Sequence, residues 1–454
     1  MNLLLTFILA FLTLFQQQDQ EQKARQGTYA ITNARIETVS DGTIENGTIV
    51  IQGDRIIAVG KNVTIPPGAE IIDGTGMHVY PGMIDSGTSL GLTEIGSVAE
   101  TNDTNEIGEI TPHMDALTAI NPNATAIPVT RLSGVTTVIA EPSGGLLPGT
   151  AAMVNLFGYT AEQMQVGNAK MLVLQFPVKR TGGGRGGFGG GRGGFGNGAA
   201  SDPDEEYKKA LDKLNEVWDR AELYNRIEEA YTSSPQGKVR PVYAPEMDAI
   251  RPVLIGERTL MVKVDSEPAI LAAITWVKER KIQKVVFSGV SEGWRVADKL
   301  AEAGISCLVG PMLATPTRGS DRYDRAYSNI GIMADAGVKV AIRSGESENV
   351  RNLPFNAGFA AAYGLGKEAA LRAVTLGPAE MFGIDKDFGS LSVGKKANLF
   401  ISDGDPFETA TNILVLFIDG FNVPIESRHL DLYKEFLNRD EGRLKPVEVL
   451  PAGN

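Results

Sequence analysis

The chain has 454 residues, enough for one large core and a smaller satellite unit, and its 43 basic against 55 acidic residues leave a net charge of −12. That balance repels phosphate backbones and anionic lipid, which argues against nucleic acid as the main partner. The single cysteine, Cys307, excludes an intrachain disulfide framework, and its apolar surroundings in GISCLVG predict a buried, inert strand residue.

From the N-terminus, Leu3 to Phe15 is a nearly unbroken apolar run, the length of a signal-peptide h-region and too short to cross a bilayer core of ~30 Å. It predicts a signal peptide over residues 1–18 and export to the periplasm or envelope, with an uncleaved N-terminal anchor as the alternative. Residues 19–27 are glutamine-rich and polar and read as a linker. Residues 28–80 alternate apolar and polar, with turn signals at Asp41-Gly42, Asn46-Gly47 and Gly53-Asp54, as short antiparallel strands do. The segment 381–430 has the same texture, and the two ends are expected to pair into one small β-sandwich.

Residues 81–380 change character. Apolar runs (TTVIA, LMVKV, KVVFSGV, ISCLVG, VKVAI) alternate with helical patterns, which predicts parallel βαβ units and an α/β fold of the (β/α)8 barrel type. Asp202, Pro203 and Glu205 give a capping box that opens a long helix with Leu211, Leu214, Trp218, Ala221 and Tyr224 on one face. Glu267-Pro268 opens a second helix, with basic residues at its end. Between the strands lies a glycine-rich insertion at 181–198, with Arg185, Arg192, Phe188 and Phe195 at a seven-residue repeat. Arg-Gly-Gly segments can bind RNA by stacking, but two arginines on an acidic chain favour a flexible loop insertion. Residues 431–454 read as a terminal helix and tail.

The stretch VYPGMIDSGTSLGL (Val79 to Leu92) resembles the end of the first barrel strand in the amidohydrolase superfamily, where two histidines follow the PG[LM]ID motif. The opening TNARIETVSDGTIENGTIVIQGDRIIAVG, the crossover IIDGTGMHVYPGMID, the stretch LSGVTTVIAEPSGGLLPGTAAMVNLFG and the closing EAALRAVTLGPAEMFGIDKDFGSLSVGKKANLFISDGDP are similar in the same order, and the chain is closest to the imidazolonepropionase-like secreted branch. The resemblance implies a metal-dependent hydrolase of non-peptide C–N bonds, with zinc or another divalent metal.

The same resemblance puts this chain's own residues at odds with that chemistry. Gly87 and Ser89 stand at the positions of the first two imidazoles, Lys263 and Asp265 at those of the fifth-strand pair, Gly289 at the next histidine and Gly345 at the final aspartate. Glycine and serine are poor ligands for a borderline-soft ion. The three histidines, His78, His113 and His429, cannot make a four-histidine centre, and none is at ligand spacing from another. The expectation is therefore no metal cofactor and a degenerate, non-catalytic member with a binding role, its partner an intact amidohydrolase relative or a small ligand at the barrel mouth. The alternative is an active hydrolase of amide or cyclic amide substrates with a carboxylate-based site drawn from Asp85, Asp265, Glu292 and Glu346, all expected near strand ends. Glu94, Glu100, Asp103, Glu106 and Glu109 make the loop after the first barrel strand acidic.

Overall fold

The computed structural model describes residues 23–179, 202–237 and 239–439. The segment expected to be a signal peptide, the glycine-rich insertion and the end of the tail lie outside the described residues.

Six strands open the chain: β1 (Arg25–Gln26), β2 (Thr28–Glu37), β3 (Thr43–Gln52), β4 (Arg55–Gly60), β5 (Glu70–Asp73) and β6 (His78–Pro81). Eight more form the barrel: β7 (Met83–Thr88), β8 (Val135–Ala140), β9 (Gly149–Asn155), β10 (Gln165–Gln175), β11 (Thr259–Val264), β12 (Val285–Gly289), β13 (Ser306–Val309) and β14 (Val340–Ile342). The last three, β15 (Leu399–Ser402), β16 (Ile413–Ile418) and β17 (Phe421–Val423), return to the first group. β15 pairs antiparallel with β6, and β17 with β1, so both chain ends contribute to one unit.

The two chain ends build that β unit together, as expected. It is a single nine-stranded sheet, ordered β1-β17-β16-β15-β6-β2-β3-β4 with β5 on β2, curled around its own apolar cluster. Tyr29, Ile31, Ile36, Ile49 and Ile51 from the first strands meet Leu399, Ile401 and Phe417 from the last, as period-two alternation requires. Continuous hydrogen bonding through β6 and β15 joins what the alternating pattern alone reads as two layers.

The barrel also departs from an all-parallel array. β9 runs antiparallel to both β8 and β10, while β7–β8 and β10 through β14 are parallel. The reason is local: only Glu141–Pro148 separate β8 from β9, too few residues for a helical crossover, so the chain turns back as a wide hairpin. The eight strands run in order from β7 to β14, and the first and last are bridged by Gly345 N–H donating to Gly87 O at 2.9 Å.

Helices cover the outside. The helix Pro203–Ser233 starts at Asp202, whose carboxylate accepts from Asp204 N, and buries Leu214, Val217, Trp218 and Ala221; Glu205 pairs with Lys209 instead of closing a box. Trp218 meets Trp276 of helix Glu267–Glu279 edge-on, centroids 5.0 Å apart. Gly134 shows how the sheet unit and barrel lock together. It turns the chain into β8 at φ +81°, and a Cβ there would lie 2.8 Å from the Phe400 ring of β15. Cys307 is fully buried on β13, and burial pushes its thiol far up. Among the described residues, no helix is long and apolar enough to cross a membrane.

Candidate functional site at the barrel mouth

Alternate residues on each strand face the barrel interior. Ile139, Val173, Met261, Val286, Leu308 and Ala341 form one apolar layer there. Two residues further along, the same alternation points Glu141, Lys263, Ser288 and Arg343 to the same side, now at the C-terminal ends where barrel enzymes keep their chemistry. These side chains join. The Arg343 guanidinium donates from Nη2 to Glu141 Oε1 and from Nη1 to Ser288 Oγ at 2.5 Å, and Lys263 Nζ lies 3.0 Å from Glu141 Oε1. Glu141 and Arg343 are both buried, and Ser288 is too. Burial alone would raise the Glu141 carboxyl, but the Arg343 and Lys263 charges outweigh it and hold the group below its ordinary value.

Gly87 sits against this cluster. A Cβ at that position would stand 3.1 Å from Arg343 Nε and 3.2 Å from both Arg343 Cζ and Glu141 Oε2. Neither Arg343 Nε nor Glu141 Oε2 has a hydrogen-bond partner. Asp85, two residues earlier on β7, is fully buried; its Oδ1 accepts from Gly87 N at 3.0 Å and Ser344 N at 3.1 Å, while Oδ2 is unpartnered. Burial pushes its carboxyl up, the hydrogen bonds from Ser344 and Gly87 and the Arg343 charge pull it partly back, and it settles at about 6.

The other carboxylates expected to serve a site are each tied to local partners, and Asp265 and Glu292 stand side by side, Asp265 O accepting from Glu292 N at 2.9 Å. Asp265 follows β11 and accepts from Ser291 Oγ at 2.7 Å. Glu292 is a brace: Arg318 reaches it with Nε and Nη2, both at 2.6 Å, Thr317 Oγ1 donates at 2.9 Å, and its other oxygen caps Glu267 N at 2.8 Å. Its burial penalty is overcome by those donors, which hold it below the usual carboxylate range. Glu346 binds Asn349 at 2.5 Å. Asp265, Glu292, Thr317 and Arg318 do line a cavity of about 640 Å³ beside the mouth, together with Lys179 and Tyr207.

At the remaining positions, Ser89 lies in the turn after β7, where its carbonyl accepts from Leu92 N. Gly289 adopts φ +95°, with its Cβ direction closed by Asp265 Oδ1 at 2.5 Å, and Gly345 adopts φ +86°. His113 and His429 are exposed, and His78 faces Tyr80 at the sheet. Among the described residues, no group of three or more His, Cys, Asp or Glu is placed to hold a metal ion.

Glu141 and Arg343 escaped the sequence reading. The signal was available, since each follows an inward apolar residue, Ile139 or Ala341, by two positions, but a lone charge after a strand usually marks a solvated loop.

With the geometry in view, the likeness to known proteins is specific. The amidohydrolase family pattern matches residues 271–424. A stretch of 93 residues is 38% identical to the D-hydantoinase of Geobacillus stearothermophilus, covering 20% of this chain and 19% of that enzyme. Among solved structures, an amidohydrolase from Thermotoga maritima superposes with a TM-score of 0.74 at 22% identity, over 87% of this chain and 99% of its own. A molinate hydrolase gives 0.51 at 17% identity, over 94% and 99%. The chain is thus similar to the amidohydrolase family over residues 271–424, under half of its length, and it shares the barrel fold of the solved amidohydrolase over most of it.

Proposed function

We propose that this chain is a degenerate amidohydrolase: an exported barrel of the imidazolonepropionase-like branch that has given up metal-assisted hydrolysis and serves by binding, with an intact amidohydrolase relative as its partner. The observation that carries the reading is the set of donors at the strand ends. The places where the family's first strand offers two imidazoles hold Gly87 and Ser89, and Asp85, Asp265, Glu292 and Glu346 are each already engaged by hydrogen-bond donors.

A divalent transition ion does not fit this donor set. Lys263 is an ion-paired ammonium, Glu141 already faces two cations, and Gly289 and Gly345 have no side chain to offer. No hydrolytic step is therefore derived through a metal. A binding role draws support from the loop after β7. Its carboxylates Glu94, Glu100, Asp103, Glu106 and Glu109 are all exposed, and Ile95, Val98 and Ile107 stand exposed among them. Apolar residues rimmed by charge suit a protein surface that carries complementary basic groups.

The test joins elemental analysis to turnover and capture. Purified protein is expected to hold well under one zinc, iron or manganese per chain and to leave amide, dipeptide and cyclic ureide panels unhydrolysed. A tagged chain recovered from its native envelope fraction should bring the relative with it, and Glu100→Lys with Glu106→Lys should release it. Stoichiometric metal would overturn the reading. Turnover that Asp85→Asn abolishes would replace it with the carboxylate-based hydrolase, and elution of the chain alone would remove the partner.

A further inference from the structure

We infer that Arg343, seconded by Lys263, is a built-in cation that stands where the family pattern places metal, and that residue 87 is glycine because the guanidinium needs its space. This rests on the reading above that the barrel holds no metal, and goes beyond it by naming what has taken the metal's place.

The first support is steric. The direction in which a residue 87 side chain would grow is closed by Arg343 Nε, Arg343 Cζ and Glu141 Oε2, all within 3.1–3.2 Å of the Cβ position. Contacts that short force a neighbour to move, and here the neighbours are a buried ion pair, not the tip of a mobile side chain. An imidazole at position 87 and the guanidinium of Arg343 therefore compete for one volume. Gly87 does not have a positive φ, so its backbone is not what requires glycine.

The second support is electrostatic and topological. Arg343 and Lys263 bring two positive charges against Glu141, and a divalent ion added beside them would be repelled at close range in a low-dielectric site. The cluster also ties separate parts of the barrel rim together. Glu141 follows β8, Lys263 lies on β11, Ser288 on β12 and Arg343 follows β14, while β7 supplies Gly87 beside them. A metal held by side chains from several strand ends would draw the same elements together. Here the protein's own cations do so, through charge-assisted hydrogen bonds.

Thermal unfolding of the full chain tests this. Wild-type Tm is expected to be unmoved by chelator or by excess zinc. Arg343→Met, which leaves Glu141 buried beside Lys263 alone, should lower Tm by roughly 3 to 5 °C. Adding Glu141→Leu to it should recover much of the loss. Gly87→Ala should lower Tm by a few degrees in the wild type and by clearly less in the Arg343→Met/Glu141→Leu background, where Arg343 Cζ and Glu141 Oε2 are gone and the methionine end, no longer pinned by an ion pair, can give way. If Arg343→Met does not fold, the comparison of Gly87→Ala in the two other backgrounds decides the matter. A Tm that falls with chelator or rises with zinc overturns this inference together with the metal-free reading. Insensitivity to metal with an equal Gly87→Ala cost in both backgrounds overturns this inference alone.

Discussion

Asp85→Asn should flatten the pH dependence of stability on the acid side of neutrality. In the folded chain the Asp85 carboxyl titrates at about 6, above the ~3.9 of an unfolded aspartate, so the native state holds its proton where the unfolded state has released it. Stability then falls as pH rises from about 4 to 6, and the cost is fully present above 6. About two pH units at 1.36 kcal/mol each gives about 3 kcal/mol of stability that wild type loses across that window. The carboxyl is fully buried, so solvent screening does not reduce the figure much. Asparagine keeps an oxygen to accept from Gly87 N and Ser344 N but cannot ionise. Glu141 and Glu292, held below their ordinary values, impose the opposite slope: their stability is present above ~4.3 and lost as pH falls through their depressed values. Both proteins share that slope, so the difference between them isolates Asp85. Urea unfolding of wild type and variant at several values between pH 4 and 7.5 provides the measurement. The two stability curves should diverge with rising pH in the variant's favour, and parallel curves would refute the buried, proton-holding carboxyl.

Truncation after Gly383 should do more than shorten the tail. It removes β15 to β17, takes Leu391, Leu399, Ile401 and Phe417 out of the sheet's core and leaves β6 as an open edge, so aggregation on size exclusion is expected in place of a soluble monomer of unchanged Tm. Trp218→Ala should cost about 3–5 kcal/mol in chemical denaturation, because the ring is fully buried against Trp276. Trp218→Phe should cost much less, since it keeps most of the packing and removes an indole N–H that has no partner.

How much of this was legible beforehand follows the range of the forces involved. Alternation along β2, β3 and β11 to β14 and the caps at Asp202 and Glu267-Pro268 are properties of neighbouring residues, so the sequence by itself determined a barrel with helices outside and a β unit at the chain ends. The same holds for glycine at 87, 289 and 345, and for the shortage of histidine, both of which can be read without coordinates. The antiparallel β9, the single continuous sheet and the bracing of Glu292 by Arg318 and Thr317 beside Asp265 depend on how distant segments meet. Only the tertiary structure could bring Arg343 to Glu141, 202 positions away in the chain, and set both against the missing side chain of Gly87. A single charged letter after a strand carries no record of its partner, because that partner is chosen by the closure of the barrel and by the cost of leaving a buried charge alone.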